Sequence, residues 1–410
     1  MYDWISYILF KKAFILFTDE NLIKKYFIDG YYYKEILDLL KKKHDIDISL
    51  STLRRTLAVL KLRRKFVEES NLEDIILAVV KELNSSGYNL GYKSLWRKLK
   101  FKHGLNVKRD NVLRILRVAD PEGVAQRFGN RLRRRQYLSP GPNHTWNLDG
   151  YDKLMHFGFG IHGCVDGFSR LIMWLEIATT NSDPKVTAYY FLKTVLEFGF
   201  LGNIVRCDAG TENCLIESLQ TCLRSQNTDK NSGLKSFICG KSTANQRIES
   251  YWGRMRNYSM YFYIQLFKVM QEEGLYNGSS IHRKCLQFCF GPLMKHDLDM
   301  TKHQWNTHCI RKQAARNNIS GKPEVMFYCP ERYDAENFKR EVNLTVVQKL
   351  MDKLTTKPVL FDPLFEELVK IYIPDVTTPK SADEALKLYK NILYVLGKEG
   401  KVCFKYTVNI

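Results

Sequence analysis

Three acidic side chains sit where an acid is costly unless something cationic meets it. Asp149 falls inside the apolar stretch Thr-Trp-Asn-Leu-Asp-Gly, which reads as a strand. A carboxylate there needs a metal ion or a hydrogen-bonding partner. Asp208 closes a second apolar run, Val-Arg-Cys-Asp-Ala-Gly. That is the carboxyl end of a predicted strand, where α/β sheets place their sites. Glu249 stands in Thr-Ala-Asn-Gln-Arg-Ile-Glu-Ser-Tyr-Trp, on a predicted helix one turn after Asn245. Oxygen ligands from separate elements suit Mg²⁺, which keeps waters and substrate phosphate oxygens in its shell. Asp166, in Val-Asp-Gly-Phe-Ser-Arg, also follows a strand but reads as a turn acid. Asp152 and Glu212 read as accessory.

The elements that must position these acids follow from the apolar pattern. Strands are predicted over Thr145–Leu154, Gly158–Val165 and Leu171–Ala178, with Gly167 and Ser169 in the turn between the latter two. Ser182-Asp183-Pro184 starts a helix over Pro184–Phe198, which Gly199 stops. A strand over Asn203–Cys207, a helix over about 213–224, a short strand over Ser236–Cys239 and a helix over about 243–256 complete the stretch. Hairpin strands followed by alternating helix and strand make an α/β sheet covered by helices.

The 410 residues are too many for one ordinary core. Formal net charge is +19, which points to a polyanionic partner. Residues 1–140 hold 29 Lys and Arg against 16 Asp and Glu, so this third carries most of the surplus. The same third is duplicated at an offset of 59: Tyr33-Lys34 meets Tyr92-Lys93, Leu40-Lys41 meets Leu99-Lys100, and Lys43-His44 meets Lys102-His103. Arg55 meets Arg114 and Leu57 meets Leu116. Each copy reads as three short helices. The last helix of each buries an apolar stripe and turns Arg54 and Arg55, or Lys108, Arg109 and Arg114, outward. That is a helix-turn-helix pattern whose last helix enters a DNA major groove.

A boundary follows in Asp120-Pro121-Glu122-Gly123 and Ser139-Pro140-Gly141-Pro142. Between them Arg127, Arg131, Arg133, Arg134 and Arg135 fit phosphate contact or nuclear import. Lys241, Asn245 and Arg247 are further candidates for phosphate contact. None of the 10 Cys precedes Cys164 and no Cys-x-x-Cys pair occurs, so the thiols read as reduced and intracellular. The His and Cys residues between His282 and Cys309 fit no standard zinc spacing. The apolar run from Trp4 to Phe17 is too short to span a bilayer and reads as a packing or dimerisation helix.

The blocks His144-Thr-Trp-Asn-Leu-Asp149-Gly, Gly163-Cys-Val-Asp-Gly-Phe-Ser-Arg170, Arg206-Cys-Asp208-Ala-Gly-Thr-Glu-Asn213 and Asn245-Gln-Arg-Ile-Glu249 resemble the integrase core of DDE transposases and retroviral-type integrases. The resemblance is nearest to eukaryotic integrase-core-domain proteins with two N-terminal helix-turn-helix units. It implies an α/β RNase H-like catalytic core, a mixed sheet flanked by helices, preceded by all-α tandem helix-turn-helix units and followed by a mainly helical C-terminal region. It also implies that Asp149, Asp208 and Glu249 hold two Mg²⁺ ions, with Mn²⁺ as a substitute. The activity implied is phosphodiester hydrolysis and strand transfer on double-stranded DNA, by a nuclear homo-oligomer without membrane contact. Forty residues separate Asp208 from Glu249, a few more than in the retroviral pattern, and the polar stretch Gln226–Gly233 is the expected insert. The expected division is 1–65 and 66–119 for the two units, 120–142 for the linker, 143–260 for the catalytic core, 261–350 for a helical extension and 351–410 for a tail without assigned role. Two other functions fit the same motifs: a catalytically silent DNA-binding protein, and an RNase H-type nuclease.

Overall fold

The computed structural model describes residues 20–64, 68–122, 124, 139–240, 245–311 and 319–399. The apolar N-terminal run, the linker arginines at 127, 131 and 133–135, and Lys241 lie outside these residues. At the centre is a five-stranded sheet of β1 (Thr145–Tyr151), β2 (Gly160–Asp166), β3 (Ile172–Ala178), β4 (Ile204–Asp208) and β5 (Phe237–Gly240), in the order β3-β2-β1-β4-β5. β1 pairs antiparallel with β2, and β2 with β3; β4 lies parallel to both β1 and β5. This mixed sheet between helical layers is the RNase H-like arrangement. Each strand stands within a few residues of its expected place.

Local chemistry fixes the connections. The β2–β3 turn is built on Asp166, which is fully buried and accepts from the Asn143 and Ser169 amides and the Ser169 hydroxyl. It is a turn acid, as expected. The helix Pro184–Phe198 begins with Asp183 accepting from the Lys185 amide at 2.9 Å. It ends at Gly199, whose φ of 78° a side chain would oppose. The expected insert is a loop held by Arg224, which is wholly buried and bonds Asp229 and Asn203.

Period-two alternation sorts β1. Trp146 and Leu148 enter an apolar core with the helix Pro184–Phe198. Tyr151 enters a second core on the opposite face, with the helices Gln246–Met255, Tyr261–Glu272 and Ser280–Thr307. Asp149, two residues before Tyr151, faces that second side. The C-terminal segment is no loose tail. Phe365 and Val369 of the helix Pro363–Tyr372, and Ala385 and Tyr389 of the helix Ala382–Glu399, are buried in this same core. The helix Ser280–Thr307 reaches back to the sheet edge, where the Asn306 side chain accepts from the Ile172 amide and donates to its carbonyl. One side-chain amide thus completes the pairing an edge strand leaves open.

The basic third forms two helical units. Residues 20–28 with the helices Tyr33–His44 and Leu50–Val59 make the first; Leu72–Leu83, Tyr92–Lys102 and Arg109–Ala119 make the second. The duplication holds in three dimensions: Ile36 and Leu95, Leu40 and Leu99, Leu53 and Val112, and Leu57 and Leu116 are all buried. The first unit is not self-contained. Val325 and Cys329 complete its core. Glu324 bonds Tyr31 and Lys43, and Lys322 donates to the Gly30 carbonyl.

Candidate active site

Asp149, Asp208 and Glu249 line one cleft, together with Asp152, Glu212, Lys153 and Arg256. Three distant stretches of chain therefore converge, each through a backbone device. β1 carries Asp149 at its middle, opposite Gly163 of β2. The parallel β4 ends beside it and delivers Asp208 at its carboxyl end. The helix Gln246–Met255 is latched to β1 by Asn245, whose Nδ2 donates to the Leu148 carbonyl at 2.9 Å, next to Asp149. Glu249 then lies in the first turn of that helix.

Asn245 is only 1% exposed, and its Oδ1 is buried without a hydrogen-bond partner. Arg247 is also engaged within the fold, its Nε donating to the Gly167 carbonyl at 2.9 Å. Both lie at the expected place in sequence, but their side chains face the fold.

Asp149 is 7% exposed, and its Oδ2 accepts from Trp252 Nε1 at 2.7 Å. Glycine at 163 makes this possible, because a Cβ there would meet the Trp252 ring at 2.8 Å. Burial pushes the Asp149 carboxyl up to about 7; the Trp252 bond opposes this, while Asp208 and Glu249 add repulsion. Glu249 is raised by burial and then by Asp208. Asp208 Oδ1 is buried without a hydrogen-bond partner. Clustered acids that repel one another, one with an orphaned oxygen, are a charge pattern that a divalent cation relieves. Among the described residues no three His, Cys, Asp or Glu side chains stand close enough to grip one ion. Mg²⁺ does not need such a cage, since two carboxylates with water and phosphate oxygens satisfy it.

Two accessory acids are held by amides. Asn181 donates to Asp152 at 2.9 Å, and Asn213 to Glu212 at 2.8 Å. Behind Asn213 lies His162, fully buried and pushed down to about 4 by burial, hence neutral. Trp174 Nε1 donates to its Nδ1, which turns the Nε2 proton toward Asn213. Trp252, Asn181 and His162 were not singled out in the sequence. Gly163, inside one of the motif blocks, is where the missing Cβ admits the Trp252 ring.

Residues 136–322 match the family model described as integrase core domain. That stretch of the chain is similar to integrase core domains. No curated protein matches it significantly. The match spans the whole sheet, with Asp149 and Asp208, and the helix that carries Glu249. Arg54 and Arg55 are exposed on the third helix of the first unit, and Lys108, Arg109 and Arg114 at the third helix of the second. Arg109 lies over the Trp96 ring at 4.3 Å, and Lys108 pairs with Glu69 at 3.6 Å. Among the described residues no helix is long and apolar enough to cross a membrane.

Proposed function

We propose that this integrase-core protein is a DDE-type transposase or integrase. It binds the ends of a DNA element and catalyses metal-dependent phosphodiester hydrolysis and strand transfer in the nucleus. The observation that carries this reading is the convergence of Asp149, Asp208 and Glu249, from two strands and a helix, in one cleft. Asp149 with Asp208, and Asp149 with Glu249, would hold the two ions, Mg²⁺ or Mn²⁺. Bound there, the ions supply an activated water or 3′-hydroxyl and neutralise the leaving oxygen.

The protein's own residues do the rest. Trp252 fixes the Asp149 carboxylate, and Asn245 fixes the helix that carries Glu249. Lys153 and Arg256, at the same cleft, suit the phosphates flanking the scissile bond. The third helices of the two units read the DNA sequence, and tethering them lengthens the site read. Joining two ends calls for more than one copy on DNA.

The test is cleavage and joining of the element's own end sequences with Mg²⁺. Asp149→Asn, Asp208→Asn and Glu249→Gln should each lower both steps by roughly 10³-fold or more. Retained activity in any variant would remove that residue from the set. Cleavage confined to RNA–DNA hybrids would replace the assignment with an RNase H-type nuclease. Specific end binding without cleavage would leave only a DNA-binding role.

A further inference from the structure

The first helix of the second unit, Leu72–Leu83, is apolar on two sides. Ile75, Ala78 and Val79 face the unit's core. Leu72, Ile76, Leu77 and Val80 face solvent, at 59%, 41%, 67% and 44% exposure. Their spacing puts them on one stripe of the helix. In the sister unit the matching positions are Ala13, Phe17, Thr18 and Asn21, and Asn21, which lies among the described residues, is exposed. A contiguous exposed apolar stripe of this kind marks a contact with a partner.

The charges beside the stripe say what covers it. Glu73 and Asp74 are exposed at the start of the helix, and Lys81 is exposed near its end. An antiparallel pairing about a two-fold axis near Ile76 and Leu77 sets the Lys81 of one copy against the Glu73 of the other, twice over. It also lays the two helix dipoles head to tail. The surface is thus complementary to itself in shape class and in charge, as an isologous contact requires. We propose that this face of Leu72–Leu83 is a homodimer contact between two copies of the chain. It uses none of the third-helix arginines and does not depend on the reaction assigned to the cleft.

One helix face is small beside the roughly 1,600 Å² of a standard interface, so the contact is expected to be of about micromolar strength without DNA. Sedimentation of the full-length protein at tens of micromolar tests it. The wild type should dimerise reversibly. The double variant Leu77→Glu/Val80→Glu should sediment as a monomer with an unchanged circular dichroism spectrum. Lys81→Glu should weaken the dimer roughly fivefold at low salt, and Glu73→Lys/Lys81→Glu should restore it. This charge reversal keeps the test valid if the double glutamate variant fails to fold. A monomeric wild type, or a dimer that survives Leu77→Glu/Val80→Glu within twofold, would overturn the proposal. So would a protein that self-associates only after deletion of residues 1–17, because that segment would then be the occupant.

Discussion

Glu82 and Lys98 offer a built-in comparison between the two helical units. Both are buried in the second unit, with Lys98 Nζ 2.9 Å from the Glu82 carboxylate. At the offset of 59 their counterparts in the first unit are Ile23 and Leu39, 2% and 0% exposed. An apolar pair in one copy is therefore an ion pair in the other. Glu82→Ile alone leaves the buried Lys98 ammonium without its carboxylate, bonded to the Ser86 hydroxyl at 2.7 Å, at an expected cost of about 3–5 kcal/mol. Lys98→Leu alone leaves Glu82 with Lys102 at 3.1 Å and His103 at 2.7 Å. Its cost should be smaller, about 1–3 kcal/mol. The double variant recreates the sister unit's pair and should lie between neutral and about 1–4 kcal/mol more stable. Amide hydrogen exchange over Leu72–Leu83 and Tyr92–Lys102 in the full-length protein reads this locally; the first variant should exchange roughly 10²- to 10⁴-fold faster and the double variant no faster than wild type. Burial raises the Glu82 carboxyl, but bonds from His103, Lys98 and Lys102 outweigh it and hold it well below the ordinary range. The ion pair's contribution is therefore complete above the ordinary glutamate pKa, about 4.3, and is lost only as pH falls through the lower folded value. A double variant as labile as Glu82→Ile would refute the equivalence of the two cores.

Two further outcomes follow from the site and the units. Trp252→Phe keeps an aromatic ring but removes the donor to Asp149, and should reduce Mg²⁺-dependent cleavage roughly ten- to a hundredfold, in part recoverable with more Mg²⁺; unchanged metal dependence would show that Trp252 does not position Asp149. Arg54→Ala/Arg55→Ala should weaken end binding and flatten its dependence on salt by roughly 0.9 in log–log slope for each DNA phosphate no longer neutralised, measured by fluorescence anisotropy; an unchanged slope would place these arginines off the backbone.

Much of the fold was legible because it rests on local pattern. Period-two apolar runs marked β1, β2 and β3, and Asp183-Pro184 with Gly199 marked both ends of a helix. The duplication was visible because the buried positions of each unit are apolar at the same spacing. What the sequence hid depends on contacts between distant residues whose types are ambiguous. Asn245 and Arg247 are polar and sit beside Glu249, so both resembled phosphate ligands; only the paths of β1 and of the β2–β3 turn show that they bond carbonyls there. Nothing local in the sequence shows that Trp252, buried in the core, reaches a carboxylate with its Nε1. Nor does anything local in the sequence show that Asn306 meets the open edge of β3. The burial of Phe365 and Tyr389 was equally invisible, since amphipathic helices do not say what they pack on.

The most consequential hidden contacts are those that join the helical units to the integrase core. The first unit shares its apolar core with Val325 and Cys329, and Glu324 ties Tyr31 and Lys43 together behind them. The second unit meets the long helix Ser280–Thr307 through Lys102 and Asp297, and Tyr88 stacks on Tyr261 at 5.7 Å. His303, on that long helix, touches both units: it bonds Asp29 of the first and lies edge-on to Phe101 of the second. Two units on flexible tethers would read DNA well but would leave the position of the cut undefined. On the proposed function, units docked through their second helices, with the third helices exposed, would carry the distance from recognised sequence to cleft in the packing itself. On the proposed function, weakening the Glu324 contacts should therefore blur where the DNA is cut more than how tightly it is bound.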